Sequence, residues 1–179
     1  MNLQAIPLVL EGPRRIRPRV FHDERGFFWE CYREPLYRAL GIEESFVQVN
    51  HSFSKKGTIR GMHFQRSPGQ AKLVTVITGK IFDVVVDIRP DSPTFGKWEG
   101  LMLDDEAREQ LFIPVGFAHG FCAVSPEAHV LYKVSQIYDP AEERGFRYDD
   151  PFVGIEWPEM SPLLSKKDLE APSFHEALK

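Results

Sequence analysis

From Lys72 to Ile88 the chain reads KLVTVITGKIFDVVVDI. Side chains branched at Cβ crowd a helix but sit well on a pleated surface, so this stretch favours β-structure. It divides into two strand-length runs at Gly79-Lys80, which predicts a tight hairpin. The texture recurs downstream. EQLFIPVGFAHGFCAV, 109–124, predicts a strand as far as Ile113, a turn over Pro114-Val115-Gly116 and another strand beyond. AHVLYKVSQIY, 128–138, alternates well enough to be a further strand. Helix signals are confined to EPLYRALGI, 34–42, with Gly41 stopping it, and to one turn in SKKDLE, 165–170. Many short strands separated by turns, with few helices, imply a sandwich or barrel. We expect one all-β domain spanning 1–179, its first 20 and last 30 residues wrapped around the outside.

Composition narrows the function. The length allows one domain with a sizeable core, and 14 prolines and 14 phenylalanines agree with many short elements. A formal charge of −4 argues against the basic stripe of a broad nucleic-acid surface, yet leaves room for a small anion held by a few local cations. Cys31 and Cys122 make no disulfide framework, and Cys122 sits in the apolar run GFCAV. Both are expected to be buried free thiols, as suits a reducing compartment. MNLQAIPLVLEGPRR has neither the basic start nor the cleavage site of a signal peptide. No apolar run approaches the roughly 18 residues of a membrane span. A cytoplasmic protein without membrane or nucleic-acid partners is expected.

A few polar residues look out of place against this background. In GTIRGMHFQ, 57–65, Arg60 and His63 interrupt a segment that otherwise reads as a strand. Strict alternation would send them to opposite faces. A bulge at Gly61 would slip the register by one and bring both to the same face. Lys72, His119, Tyr132 and Tyr138 stand out similarly. Each has a plain alternative: His119 as a hydrogen-bonded core histidine, Lys72 as a snorkelling surface lysine, the tyrosines as strand aromatics with wet hydroxyls. Their number among apolar neighbours favours a functional site.

PxGxxH at 114–119 resembles the second half of the cupin signature, and His63 and Gly79 resemble the ends of its first half. Metal-binding cupins carry a second histidine where this chain has Gln65 and a glutamate where it has Lys72. An ammonium has no lone pair to give and repels a dication. The resemblance therefore implies a cupin-type jelly-roll barrel whose metal site has become something else. FHDERGFFWE, QVNHSFSKKGTIRGMHFQ, IPVGFAHGF, YKVSQIYDPAEERG, DDPFVGIEWP and LSKKD follow in this order. Together with KLVTVITGKIFDVVVDIRPDSPTFGKW they resemble dTDP-4-dehydrorhamnose 3,5-epimerases over residues from about 20 to 172.

That resemblance implies a 4-keto-6-deoxy sugar on thymidine diphosphate as substrate. Its C3 and C5 protons are acidic because both carbons flank the C4 ketone. Epimerisation then needs a base, a stabiliser for the enolate oxygen and an acid on the opposite face. By resemblance, His63 is the base, Asp168 its orienting partner, Lys72 the stabiliser and Tyr132 the acid. Arg25, Glu30, Gln48, Val49, Asn50, Arg60, Lys72, His119, Glu143 and Lys167 match substrate-binding positions, and Tyr138 the ring stacked on thymine. The planar fork of arginine suits a diphosphate. In the family an N-terminal strand lends binding residues to the neighbouring subunit, so a homodimer is implied. The scheme uses neither metal nor nicotinamide, and no cofactor is expected. A relative acting at C3 or C5 alone would share nearly all these residues. A non-catalytic sugar-nucleotide-binding cupin is disfavoured by the intact His63, Asp168, Lys72 and Tyr132 set, and a metal-dependent oxygenase by Gln65 and Lys72.

Overall fold

The computed structural model describes residues 3–179. Its first strands are β1 (Gln4–Pro7), β2 (Arg14–Arg17), β3 (Val20–Asp23) and β4 (Gly26–Trp29), followed by helix α1 (Glu34–Arg38). Then come β5 (Gln48–Lys55), β6 (Ile59–Gln65), β7 (Lys72–Thr78), β8 (Lys80–Asp87) and β9 (Trp98–Asp104). The chain finishes with β10 (Gln110–Ile113), β11 (Phe117–Ala123), β12 (Glu127–Val134), β13 (Glu143–Gly145) and the helices α2 (Lys166–Leu169) and α3 (Phe174–Ala177). The strands expected around Ile113, Phe117 and Val130 are present, and α1 and α2 lie in the two segments with helix signals. Helix α3 was not foreseen.

Two antiparallel sheets form, in the orders β1-β2-β10-β7-β12-β5 and β13-β6-β11-β8-β9, while β3 and β4 pair only with each other. This is the cupin-type jelly roll, in which closure of two sheets over a common interior limits exposed edges. The two runs flanking Gly79 do not form the expected hairpin. β7 lies in the first sheet and β8 in the second, so Gly79 turns a corner between sheets. Its φ is +84°, and a Cβ there would meet the Glu127 carbonyl oxygen at 2.1 Å.

Alternation along the strands explains where the core sits. Val74, Val76, Ile81, Val85, Leu111, Ile113, Phe117, Phe121 and Val130 form one buried cluster between the sheets, with Tyr132 packed against it. Opposite-face residues Met62, Phe64, Val84 and Val86 meet Phe146, Val153 and Phe174 from the C-terminal segment. That segment therefore covers the outer face of the five-stranded sheet, as expected. The N-terminal residues do not simply wrap the barrel: β1 and β2 extend the six-stranded sheet, with Ile16 buried against Tyr37, Leu73 and Phe112. Cys122 is buried, whereas Cys31 is exposed, contrary to expectation.

Candidate active site

The polar end of the barrel is built around Gly61. His119 pairs with His63 across β11 and β6, but Phe121 pairs with Arg60, so β6 carries one extra residue between its two partners. This is the anticipated bulge. Gly61 has φ +138°, and a Cβ on it would lie 2.5 Å from Gly120 Cα. The close backbone approach admits only glycine. On its other side His63 pairs with Gly145 of β13, where an added Cβ would come within 3.1 Å of the imidazole.

Helix α2 completes the histidine's surroundings. His63 Nε2–H donates to Asp168 Oδ1 at 2.5 Å. The Ser165 hydroxyl donates to Asp168 Oδ2 at 2.8 Å and accepts from the Asp168 backbone N–H at 3.1 Å. Burial alone would raise the Asp168 carboxyl. The hydrogen bond and charge of His63, with Ser165 and the Lys167 charge, outweigh it and hold the group below its ordinary value. With Nε2 bound to an anion, Nδ1 carries the lone pair that can accept a proton.

Tyr132 and Lys72 come from the facing sheet. Lys72 is only 8% exposed, and its Nζ donates to the His63 carbonyl at 3.3 Å. Burial pushes its ammonium down to about 8, against the supporting charges of Asp83 and Glu143. Burial likewise raises the Tyr132 phenol; the Arg60 charge opposes the shift and the Glu143 charge adds to it. The phenol is therefore a protonated donor at neutral pH.

These side chains share a cavity of about 300 Å³, lined by His63, Lys72, Tyr132, Gln48, Asn50, Tyr138 and Glu143 among the expected residues, and also by Phe64, Gln65 and Gln70. Inward Gln48 and Asn50 on β5 require that Val49 point outward. Val49 is 53% exposed, so its side chain cannot line the cavity and only its backbone could contribute. At the mouth, the Tyr138 hydroxyl donates to Glu143 Oε2, which also meets Lys167 Nζ at 2.5 Å. Lys167 itself lines an adjoining cavity together with Asp168, and the two cavities share His63 and Glu143.

The remaining expected residues lie elsewhere. Arg60 spans the seam between the sheets, donating to Ser54 Oγ at 3.0 Å and the Phe53 carbonyl at 2.9 Å. His119 is buried and donates from Nε2 to Asp83 Oδ1 at 2.8 Å. Arg25 sits on the β3–β4 hairpin with its side chain 85% exposed and paired to Asp23. Glu30 pairs with Arg33 and lines a separate groove with Phe21, Phe28 and Tyr37. Neither Arg25 nor Glu30 reaches this chain's own cavity.

Sequence reading passed over Asp83, Gln70 and Ser165. Asp83 left a signal, as a charge within the apolar strand KIFDVVVDI. Ser165 and Gln70 occupy turn and loop positions where a polar residue is ordinary. The donor set also bears on the metal that the barrel type can hold. Gln65 Oε1 is engaged by the Asp139 backbone N–H at 2.9 Å, and an ammonium stands at Lys72. Among the described residues no three His, Cys, Asp or Glu side chains converge as a metal site. These side chains do not fit a metal ion.

Over residues 7–176 the chain matches the family described as dTDP-4-dehydrorhamnose 3,5-epimerase. It is 50% identical over 162 residues to the dTDP-4-dehydrorhamnose 3,5-epimerase of Shigella flexneri, covering 89% of this chain and 90% of that protein. A solved structure of dTDP-4-dehydrorhamnose 3,5-epimerase from Bacillus anthracis, with TDP and PPi bound, matches with a TM-score of 0.94 at 43% identity, covering 97% of this chain and 100% of that one. The dTDP-6-deoxy-D-glucose-3,5-epimerase of Legionella pneumophila, in complex with dTDP-4-keto-L-rhamnose, also gives a TM-score of 0.94 at 43% identity, covering 97% and 94%.

Proposed function

The chain belongs to the dTDP-4-dehydrorhamnose 3,5-epimerase family, and on that premise we propose that it inverts C3 and C5 of dTDP-4-dehydro-6-deoxy-D-glucose to give dTDP-4-dehydro-L-rhamnose. One observation carries the reading. His63, backed by Asp168, lines the same cavity as Lys72 and Tyr132 of the opposite sheet.

The C4 ketone acidifies the protons on both neighbouring carbons. His63 Nδ1 takes such a proton, and Asp168 balances the imidazolium that forms. Negative charge moves onto the C4 oxygen, where the Lys72 ammonium stabilises it. Tyr132 returns a proton from the other face, and the carbon is inverted. A proton leaves and a proton is restored, so the sugar is neither oxidised nor reduced.

Arg60, His119, Glu143, Lys167, Gln48, Asn50 and the backbone of Val49 hold the nucleotide sugar, with Tyr138 stacked on thymine. Arg25 and Glu30 serve the cavity of a second subunit in a homodimer. The β3–β4 hairpin suits this exchange, because it pairs with neither sheet and exposes Phe27 and Phe28. Residues 1–179 act as one domain, in the cytoplasm; no helix is long and apolar enough to cross a membrane among the described residues. The test is incubation with dTDP-4-dehydro-6-deoxy-D-glucose in D2O, following deuterium at C3 and C5 by NMR. Inversion with deuterium at both carbons is expected. Inversion at one alone would make the protein a mono-epimerase.

A further inference from the structure

Rotamer preference does not set the plane of the Asp168 carboxylate, because the last torsion of an aspartate is broad and roughly two-fold. Hydrogen bonds to its two oxygens must do so. Oδ1 accepts from His63 Nε2–H at 2.5 Å, and Oδ2 accepts from the Ser165 hydroxyl at 2.8 Å. Lys167 is the neighbouring residue, but its ammonium is taken up by Glu143 at 2.5 Å. Ser165 thus holds the carboxylate oxygen that the histidine leaves free.

The same hydroxyl oxygen accepts from the Asp168 backbone N–H at 3.1 Å, as the N-cap of α2. One side chain therefore ties down both the main chain and the carboxylate of Asp168. Helix α2 has only four residues, too few to persist by its own helical bonds. Ser165 is in turn anchored to the strand that carries the histidine. Just before it, Leu163 donates its N–H to the Gly57 carbonyl at 2.9 Å and accepts from the Ile59 N–H at 3.1 Å. Ile59 opens β6, the strand of His63. Strand, cap, carboxylate and imidazole close into one loop. Ser165 lines neither the substrate cavity nor the adjoining one, so it does not meet the sugar.

We propose that Ser165 is a positioning residue for the epimerisation: its hydroxyl fixes the Asp168 carboxylate in the plane that keeps the His63 ring, and with it Nδ1, aimed at the sugar. The inference rests on His63 being the base. A base whose lone pair swings away from the C–H bond loses rate without losing substrate, because proton transfer depends on alignment more steeply than binding does.

Ser165→Gly deletes the hydroxyl while leaving a residue that caps a helix almost as well. Ser165→Thr keeps the hydroxyl, and its extra methyl has room because Ser165 is exposed. Each is made in the wild type, and Ser165→Gly also in Asp168→Asn. Turnover and deuterium uptake at C3 and C5 are followed by NMR. Ser165→Gly should lower kcat about tenfold with KM little changed, and Ser165→Thr should restore it. In Asp168→Asn, Ser165→Gly should slow the reaction no further, since the carboxylate that the hydroxyl serves is gone. A role as helix cap alone would slow both backgrounds by the same factor. That result, or a wild-type kcat in Ser165→Gly, would overturn the proposal. The two readings fail separately. An unchanged Ser165→Gly in an active epimerase removes Ser165 alone; a wild-type protein without epimerase activity removes the task that Ser165 would serve. Should Ser165→Gly not accumulate as folded protein, Ser165→Asn takes its place in the same cycle, with the same outcomes. Its amide oxygen caps the helix but cannot donate to Asp168.

Discussion

Nε2 of His63 lies 2.5 Å from Oδ1 of Asp168, a residue 105 positions further along the chain. A ring held this way keeps Nδ1 as the proton acceptor and has an anion ready for the charge it gains. His63→Ala is expected to abolish deuterium exchange at both C3 and C5, and Asp168→Asn to slow it roughly 10²- to 10⁴-fold. Near-normal exchange in either variant would remove His63 as the base. The Asp168 carboxyl is held below its ordinary 3.8 in the fold. Its contribution to stability is therefore complete above that value and lost as pH falls through the lower folded one. Asp168→Asn should accordingly melt with less sensitivity to acid than the wild type.

Lys72→Met is expected to lower kcat by about 10²- to 10³-fold with a smaller effect on KM, since in the proposed scheme its charge meets an oxyanion that forms only during reaction. In the wild type, burial sets the ammonium at about 8, so turnover should fall as pH rises through that value. Stability should move the other way. Between about 8 and the ordinary 10.5 the unfolded chain binds a proton that the folded one does not, so this group's contribution improves with pH across that window. A rate that stays level across the window would make Lys72 a ground-state contact.

Gly61→Ala is expected to damage both fold and function. Its φ of +138° suits only glycine, and the added methyl would meet Gly120 Cα at 2.5 Å. The backbone conformation alone costs on the order of 1–3 kcal/mol. Losing the bulge would also return Arg60 and His63 to opposite faces. The urea midpoint and the rate of exchange at C3 should both fall; wild-type stability would mean the strand can relax around the methyl.

Much of the candidate site's lining was legible because its residues contradict their strands. Arg60 and His63 are misplaced by strict alternation, and Gly61 offered the one-residue slip that reconciles them. Other features depend on distant partners. A hairpin and a corner both call for a positive-φ residue at Gly79, and only pairing with β10, β12, β9 and β11 separates β7 from β8. Val49 was read with its neighbours as a block, although alternation between Gln48 and Asn50 already turns it outward. The exposure of Cys31 follows from the short segment before α1 running over the surface, which local composition does not disclose. Helix α3 is only four residues long, and the burial of Phe174 against Phe146 that secures it is a tertiary contact.

Extensive chelation is expected to leave the rate unchanged. Lys72 brings a positive charge where a carboxylate ligand would stand, and Gln65 Oε1 is already engaged by the backbone. A chelator-sensitive rate restored by a single divalent ion would contradict this reading of the barrel's interior.

Tyr132→Phe separates proton removal from proton return. His63 and Tyr132 belong to different sheets across one cavity, the placement that the proposed two-face mechanism requires. The substitution keeps the ring and its packing against the core and deletes only the hydroxyl. His63 would still take the C5 proton, and in D2O the imidazolium would return deuterium to the face it left. NMR of the recovered sugar nucleotide should therefore show deuterium at C5 with the starting configuration retained. Inversion at C5 at the wild-type rate would contradict the two-face assignment and move the acid to another residue.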